Sequence, residues 1–112
     1  MNQLLLNNHK PIPLDKDGYL RRLEDWSPEV ADKLAGTVAV ELTEAHWEVL
    51  DALREFYRST GLSPAMRPLV KLIANELGAD KGRSIYLMKL FPGNPALLAS
   101  KIAGLPRPTN CF

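Results

Sequence analysis

The pattern of apolar and polar residues predicts a mainly α-helical chain. Over residues 44–60 the apolar positions recur every three or four residues, which is the spacing of one face of an α-helix. Thr43 is placed to cap this helix and Gly61 to end it. The predicted inward face consists of His46, Val49, Leu50, Leu53, Phe56 and Tyr57.

Four shorter helices are predicted by the same periodicity, and three of them start at a Ser-Pro or Asn-Pro pair. Such a pair provides a capping side chain followed by a proline, whose missing N–H is not needed in the first turn. The predicted ranges are 28–36, 64–77, 83–91 and 95–103, with Ser27, Ser63 and Asn94 as caps and Gly36, Gly78 and Gly104 as stops.

The first 25 residues carry a different pattern, in which short apolar runs alternate with turn residues. The runs QLLL and KPIPL are separated by an Asn-Asn pair, and a second turn, DKDG, follows. This predicts a small β-hairpin or a three-stranded piece. Pro11 and Pro13 cannot donate to a ladder, so they restrict their strand to an edge.

Composition agrees with one ordinary globular domain, since 46% of the 112 residues are hydrophobic and 24% are charged. The N-terminus lacks the basic segment and long apolar run of a signal peptide. No stretch approaches the roughly 20 apolar residues that a membrane helix needs. A single cysteine cannot form an internal disulfide, as is typical of a reducing compartment. We therefore expect a cytoplasmic protein that does not associate with membranes.

The net charge of +1 hides an asymmetry between two parts of the chain. Residues 1–65 carry seven basic and eleven acidic side chains, so 7 − 11 = −4, whereas residues 66–112 carry seven and two, so 7 − 2 = +5. The basic part could bind nucleic acid or an acidic partner, or it could be a solvated helix surface. The two parts also attract each other.

The last nine residues, GLPRPTNCF, predict an extended arm. Pro106 and Pro108 each fix one φ angle, remove one backbone donor and push the preceding residue toward extended geometry. We therefore divide the chain into a helical domain, residues 1–103, and a mobile C-terminal arm, residues 104–112. The arm is expected to contribute little to the core, so removing it should leave the helical fold intact.

The arm carries the only cysteine, Cys111, one residue from the C-terminus. An ordinary thiol titrates near about pH 8.5, so a few per cent is thiolate at about pH 7, and no His or Asp is close in sequence to act as a base. Such a thiol suits a passive carrier, loaded as a transient persulfide and without another cofactor. A small buried hydrophobe and an idle tail thiol remain alternatives at this point.

Residues elsewhere in the chain raise the question of two other kinds of site. The tight connection between the helices at 44–60 and 64–77 resembles a helix-turn-helix, whose second helix would present Arg67, Lys71 and Asn75 to DNA. His9 and His46 do not have the spacing of a metal site, and His46 is expected to be structural. We expect neither a metal nor a bound cofactor.

The C-terminal sequence KIAGLPRPTNCF resembles the signature of the DsrC/TusE family, usually KIAGLPKP with a penultimate cysteine. Five other segments agree with the family in the same order, so the resemblance covers nearly the whole chain. They are DGYL, HWEVL, REFY, SPAMRPLVK and KGRSIYLMKLFPG. It implies a DsrC-like fold and a sulfurtransferase whose sulfur is carried by Cys111. A second cysteine eleven positions earlier, typical of the DsrC branch, is replaced by Ser100, so the chain resembles the TusE branch.

The resemblance implies a sulfur relay that ends in 2-thiouridine at the tRNA wobble position. In that relay the TusBCD complex, through TusD, donates sulfur, and the thiouridylase MnmA with its tRNA accepts it. Lys101 and Arg107 are candidate docking cations by charge and position. Where the family often has GPAKQA this chain has NPALLA, and Leu97 and Leu98 would either pack or alter docking. A DsrC-like regulatory protein or a helix-turn-helix protein is the alternative.

Overall fold

A computed structural model describes residues 3–108, which form one short hairpin and five α-helices. The strands are β1, Gln3–Leu5, and β2, Pro11–Pro13, and a single 3₁₀ turn follows at Leu23–Asp25. The helices are α1, Pro28–Thr37; α2, Glu44–Thr60; α3, Met66–Leu77; α4, Ser84–Leu90; and α5, Pro95–Ile102. No helix in this range is long and apolar enough to cross a membrane.

The N-terminal hairpin is antiparallel, with Leu4 opposite Ile12. These two side chains are buried while their neighbours along each strand are more exposed, so one face of the hairpin covers the helices. The sheet has two strands, so the two prolines of β2 lie at an edge as predicted. An isolated bridge between Leu14 and Leu20 closes the second predicted turn.

The longest predicted helix is confirmed from its first residue to its last. Thr43 and His46 form a capping box at the start of α2, in which the Thr43 N–H donates to His46 Nδ1 at 3.1 Å. With Nδ1 accepting, Nε2 carries the proton and donates to the carbonyl of Leu90 at 2.8 Å. His46 is therefore structural, as expected, and it ties α2 to the end of α4.

The end of α1 and the start of α3 differ from the prediction, α4 is one residue shorter than predicted at each end, and α5 is one residue shorter at its C-terminal end. α1 continues through Gly36 to Thr37, because an exposed glycine with no clash can remain helical. α3 begins at Met66 with Ala65 as its cap, and Ser63 does not cap it. The reason is Pro68: in a helix starting at Pro64 it would lack a required N–H, whereas in a helix starting at Met66 it lies in the first turn.

The core is centred on α5, which packs against each of the other four helices. Its buried residues include Ala99, Ser100 and Ile102, and the core continues past its end to Ala103 and Leu105. Small residues on α5 allow this close approach from several sides. The predicted arm thus begins at the most enclosed helix of the molecule.

Candidate functional site

The C-terminal end of α5 is closed by a Schellman motif, from which the tail departs. The N–H of Gly104 donates to the carbonyl of Lys101 at 3.1 Å, and the N–H of Leu105 donates to that of Ser100 at 2.9 Å. Leu105 is 3% exposed and belongs to the core. The expectation that the segment after residue 103 contributes little to the core is therefore wrong at Leu105. The division into a domain and an arm stays a prediction.

Two side chains from distant parts of the chain satisfy the remaining carbonyls at this helix end. Trp26 Nε1 donates to the carbonyl of Ile102 at 2.9 Å, and Arg54 Nη1 donates to that of Ala103 at 2.7 Å. The Arg54 guanidinium also lies 3.8 Å from the centroid of the Trp26 ring, in a cation–π contact. The base of the tail is thereby held by α2 and by the segment before α1.

The environment of Arg54 lowers the pKa of its guanidinium. Partial burial is the main cause, the neighbouring charge of Arg58 lowers it further, and Asp51 opposes both. An arginine remains charged at neutral pH despite such a shift. Its hydrogen bond to Ala103 is therefore charge-assisted, which makes it stronger than a neutral one.

Sequence reasoning missed both Trp26 and Arg54. Trp26 precedes a helix cap, and Arg54 lies next to the predicted apolar face of α2, so neither interrupts a pattern. Their role depends on a helix end roughly 50 to 76 residues further along the chain. A helix C-terminus with unpaired carbonyls predicts some donor, but the sequence does not say which one.

An open groove of about 430 Å³ lies beside the base of the tail. Both predicted docking cations, Lys101 and Arg107, line it, so the structure brings them to one place. Lys101 Nζ lies 5.3 Å from the centroid of the Tyr19 ring, and Arg107 Nη1 lies 3.3 Å from Asp17 Oδ2. The other lining residues are Pro92, Gly93, Asn94, Leu97 and Leu98.

The groove is lined by apolar side chains together with two cations and the carboxylate of Asp17. The half-buried side chains of Leu97 and Leu98 form part of a wall, and the Tyr19 hydroxyl donates to the Leu97 carbonyl at 3.1 Å. The Arg107–Asp17 pair is largely exposed, so it contributes about 0–1 kcal/mol and can open at little cost. Such a surface suits a protein partner with apolar and acidic groups.

The predicted sulfur chemistry involves two positions, of which the structure describes Ser100 but not Cys111. Ser100 is fully buried, and its hydroxyl has no hydrogen-bond partner among residues 3–108. Cys111 lies outside the described residues, so its predicted role stays a prediction. Within residues 3–108 no group of three or more His, Asp or Glu side chains is placed to hold a metal ion.

The helix-turn-helix interpretation finds an exposed polar face on α3. Arg67, Lys71 and Asn75 are all exposed there. Two cations are few beside the roughly six to ten phosphate contacts typical of DNA-binding proteins. No feature of α3 makes a DNA-binding site on that helix better supported than a protein-binding site at the groove beside the tail.

Comparison with known proteins gave consistent matches over almost the whole chain. The family model described as "DsrC like protein" matches residues 7–112. The chain is 50% identical to "Sulfurtransferase TusE homolog" of Haemophilus influenzae over 90% of this chain and 93% of that protein. It is 46% identical to "Sulfurtransferase TusE" of Salmonella typhimurium over 97% of this chain and 100% of that protein.

Solved structures with the same fold include DsrC proteins. The NMR structure of Allochromatium vinosum DsrC superposes with a TM-score of 0.89 at 44% identity, covering all of both chains. A second match, with a TM-score of 0.84 at 40% identity, is the crystal structure of the oxidized γ-subunit of the dissimilatory sulfite reductase (DsrC) from Archaeoglobus fulgidus. That match covers 98% of this chain and 99% of the other.

Proposed function

Because this chain belongs to the DsrC-like protein family, we propose that it is a sulfurtransferase of the TusE kind. It carries sulfur as a persulfide on Cys111 for 2-thiouridine synthesis at the tRNA wobble position. The observation that carries this proposal is the identity of 46–50% to proteins named sulfurtransferase TusE, over nine-tenths or more of each chain. The mainly helical fold with its N-terminal hairpin is the one predicted, and it is shared with DsrC structures.

The absence of a second cysteine supports carriage rather than disulfide chemistry. Cys111 is the only cysteine, and the position eleven residues earlier is Ser100. A serine hydroxyl cannot form a disulfide, and that of Ser100 is also buried. A persulfide on Cys111 therefore cannot be resolved within the chain, and the sulfur leaves by transfer to another protein.

The proposed chemistry is thiol–persulfide exchange in both directions. The Cys111 thiolate attacks the outer sulfur of the donor persulfide, so a new S–S bond forms, the old one breaks and the donor leaves as a thiolate. In delivery, an acceptor thiolate attacks the outer sulfur on Cys111 and releases the Cys111 thiolate. Each step exchanges one S–S bond for another, so no external oxidant or reductant is required.

The partners follow from the same proposal. The TusBCD complex, through TusD, supplies the sulfur, and the thiouridylase MnmA with bound tRNA receives it in the cytoplasm. Lys101 and Arg107 support docking because both line the groove from which the tail departs. Their charge matches acidic groups on a partner surface.

The direct test is to incubate the protein with a small-molecule persulfide donor and measure the mass of its C-terminal peptide. We expect a gain of one sulfur atom, removed by dithiothreitol, because a thiolate exchanges readily with a persulfide. Cys111→Ser serves as the control and should show no gain. An unreactive Cys111 under these conditions would refute the role of the residue.

A further inference from the structure

The short helix α4 exposes large apolar side chains. Ile85 is 66% exposed and Met88 is 42% exposed, while Leu87 on the opposite side is fully buried. Single exposed apolar residues are common on protein surfaces, but a cluster of them beside a groove often marks a binding site. Folding alone gives these two side chains little to contact.

Ile85, Met88 and Lys89 occupy one face of α4, because their spacing of three and four residues places them on adjacent turns. We call these three residues the α4 stripe. Lys89 is exposed and forms no ion pair within residues 3–108. Pro92, four residues beyond Met88, is exposed and lines the groove at the tail. The α4–α5 connection, which follows the α4 stripe directly in the chain, therefore contributes to the groove.

Pro108 is buried, and only two residues separate it from Cys111 in the sequence, which restricts where a partner must lie. Cys111 is three residues beyond Pro108, a reach of at most about 10 Å at about 3.4 Å per residue. A partner whose active site receives this thiol must therefore cover the surface around Pro108. A typical interface of about 800 Å² per partner, drawn as a disc, extends about 16 Å from its centre, so it extends well beyond the groove itself.

We propose that the α4 stripe and the tail groove together dock the sulfur-donor protein whose active site receives Cys111. The inference rests on the proposed function and adds to it a surface and a partner chemistry. The facing surface of the partner presents an apolar patch for Ile85 and Met88, with carboxylates beside it for Lys89 and Lys101. Nucleic acid fits this surface less well, since a polyanion gains nothing from the two exposed aliphatic side chains.

The test measures the affinity of the full-length protein for purified TusBCD complex. Ile85→Glu places a charge of the wrong sign in the apolar part of the surface, and we expect it to weaken binding about tenfold or more. Leu62→Glu is the matched control, because Leu62 is 63% exposed but lies between α2 and α3 and is not one of the residues that line the groove. It should change the affinity less than about twofold.

Three outcomes separate the surface from the function. If wild-type protein receives sulfur from TusBCD and Ile85→Glu slows this transfer while loading from a small-molecule donor is unchanged, the surface is supported. If both glutamate variants bind TusBCD as wild type does, or if only tRNA binding responds to Ile85→Glu, the surface is refuted and the carrier function stands. If wild-type protein takes no sulfur from either donor, the proposed function itself fails.

Discussion

Gly104 meets two separate requirements at the residue scale. Its φ angle of +75° lies in the left-handed region, which the Schellman motif needs and which other residues adopt at a cost. A Cβ at this position would also overlap the indole of Trp26. Trp26 is held by its bond to Ile102, so it cannot move aside without losing that hydrogen bond.

Gly104→Ala is therefore expected to destabilise the protein by roughly 2–4 kcal/mol, from backbone strain and overpacking together. Gly36→Ala is the matched control, since Gly36 lies within α1 with open space around it. That change should stabilise by about 0.5–1 kcal/mol, because alanine favours the helix. Urea unfolding measures both, and equal effects of the two substitutions would contradict the role of Gly104.

Arg54 and Ser100 differ in whether the sequence indicates that they matter. The resemblance marked Ser100 as the position that distinguishes the branches, and the structure places it in the core at the base of the tail. Nothing in the sequence marked Arg54, yet it holds the carbonyl of Ala103. The importance of Ser100 depends on which atoms its side chain has. The role of Arg54 depends on which helix end lies within reach of its side chain.

At the element scale, α5 and residues 104–105 form one unit. Leu105 fills the core, and its N–H completes the Schellman motif with Ser100. The two prolines that follow do end the helix pattern, but the core contact extends beyond the helix stop. Glycine at the end of a helix indicates where the helix stops and not where packing stops.

Truncation at two positions tests this unit. A chain ending at Ala103 should lose about 3–5 kcal/mol of unfolding free energy, since it lacks the buried Leu105 and two capping hydrogen bonds. A chain ending at Pro108 keeps these contacts and should remain within about 0.5 kcal/mol of the full-length protein. Urea unfolding of the three chains gives the comparison. Equal stability of both truncated chains would mean that the core ends at residue 103.

At the scale of the whole molecule, the charge asymmetry has an internal role in the fold, and the proposed docking gives it an external role as well. Two ion pairs, Arg107–Asp17 and Lys81–Glu48, join the basic part of the chain to the acidic part. The hydrogen bond to Glu48 raises the pKa of Lys81 above its ordinary value, so this pair favours the charged form that a lysine already has at neutral pH. Lys101 instead lies against Tyr19, so its charge is available to a partner at the groove.

The external role predicts a dependence of docking on ionic strength. The double variant Lys101→Ala, Arg107→Ala should associate with TusBCD severalfold more slowly than wild type at low salt, because charge complementarity acts mainly on the association rate. The difference should shrink as salt screens the charges. Stopped-flow measurements provide the rates. Arg58→Ala is the control: this exposed arginine pairs with Glu55 on α2 and does not line the groove. A salt-independent deficit, or an equal deficit in the control, would argue against electrostatic docking.

The sequence by itself determined the helix inventory, the hairpin, the capping of α2 by Thr43 and the single cysteine near the end. These features depend on local periodicity, on caps and turn residues, and on composition, all of which can be read within a few residues. The resemblance at the C-terminus added the family and the sulfur chemistry, again from contiguous residues.

Only the tertiary structure decided how far the core extends past α5 and what surrounds the base of the tail. Three features at this base depend on residues that are far apart in the chain. They are the burial of Leu105, the hydrogen bonds from Trp26 and Arg54, and the groove that Lys101 and Arg107 both line. Local sequence rules say that a helix end needs donors and that a leucine favours burial. Which donor arrives, and whether there is space for the leucine, is set by the packing of α5 among the other four helices.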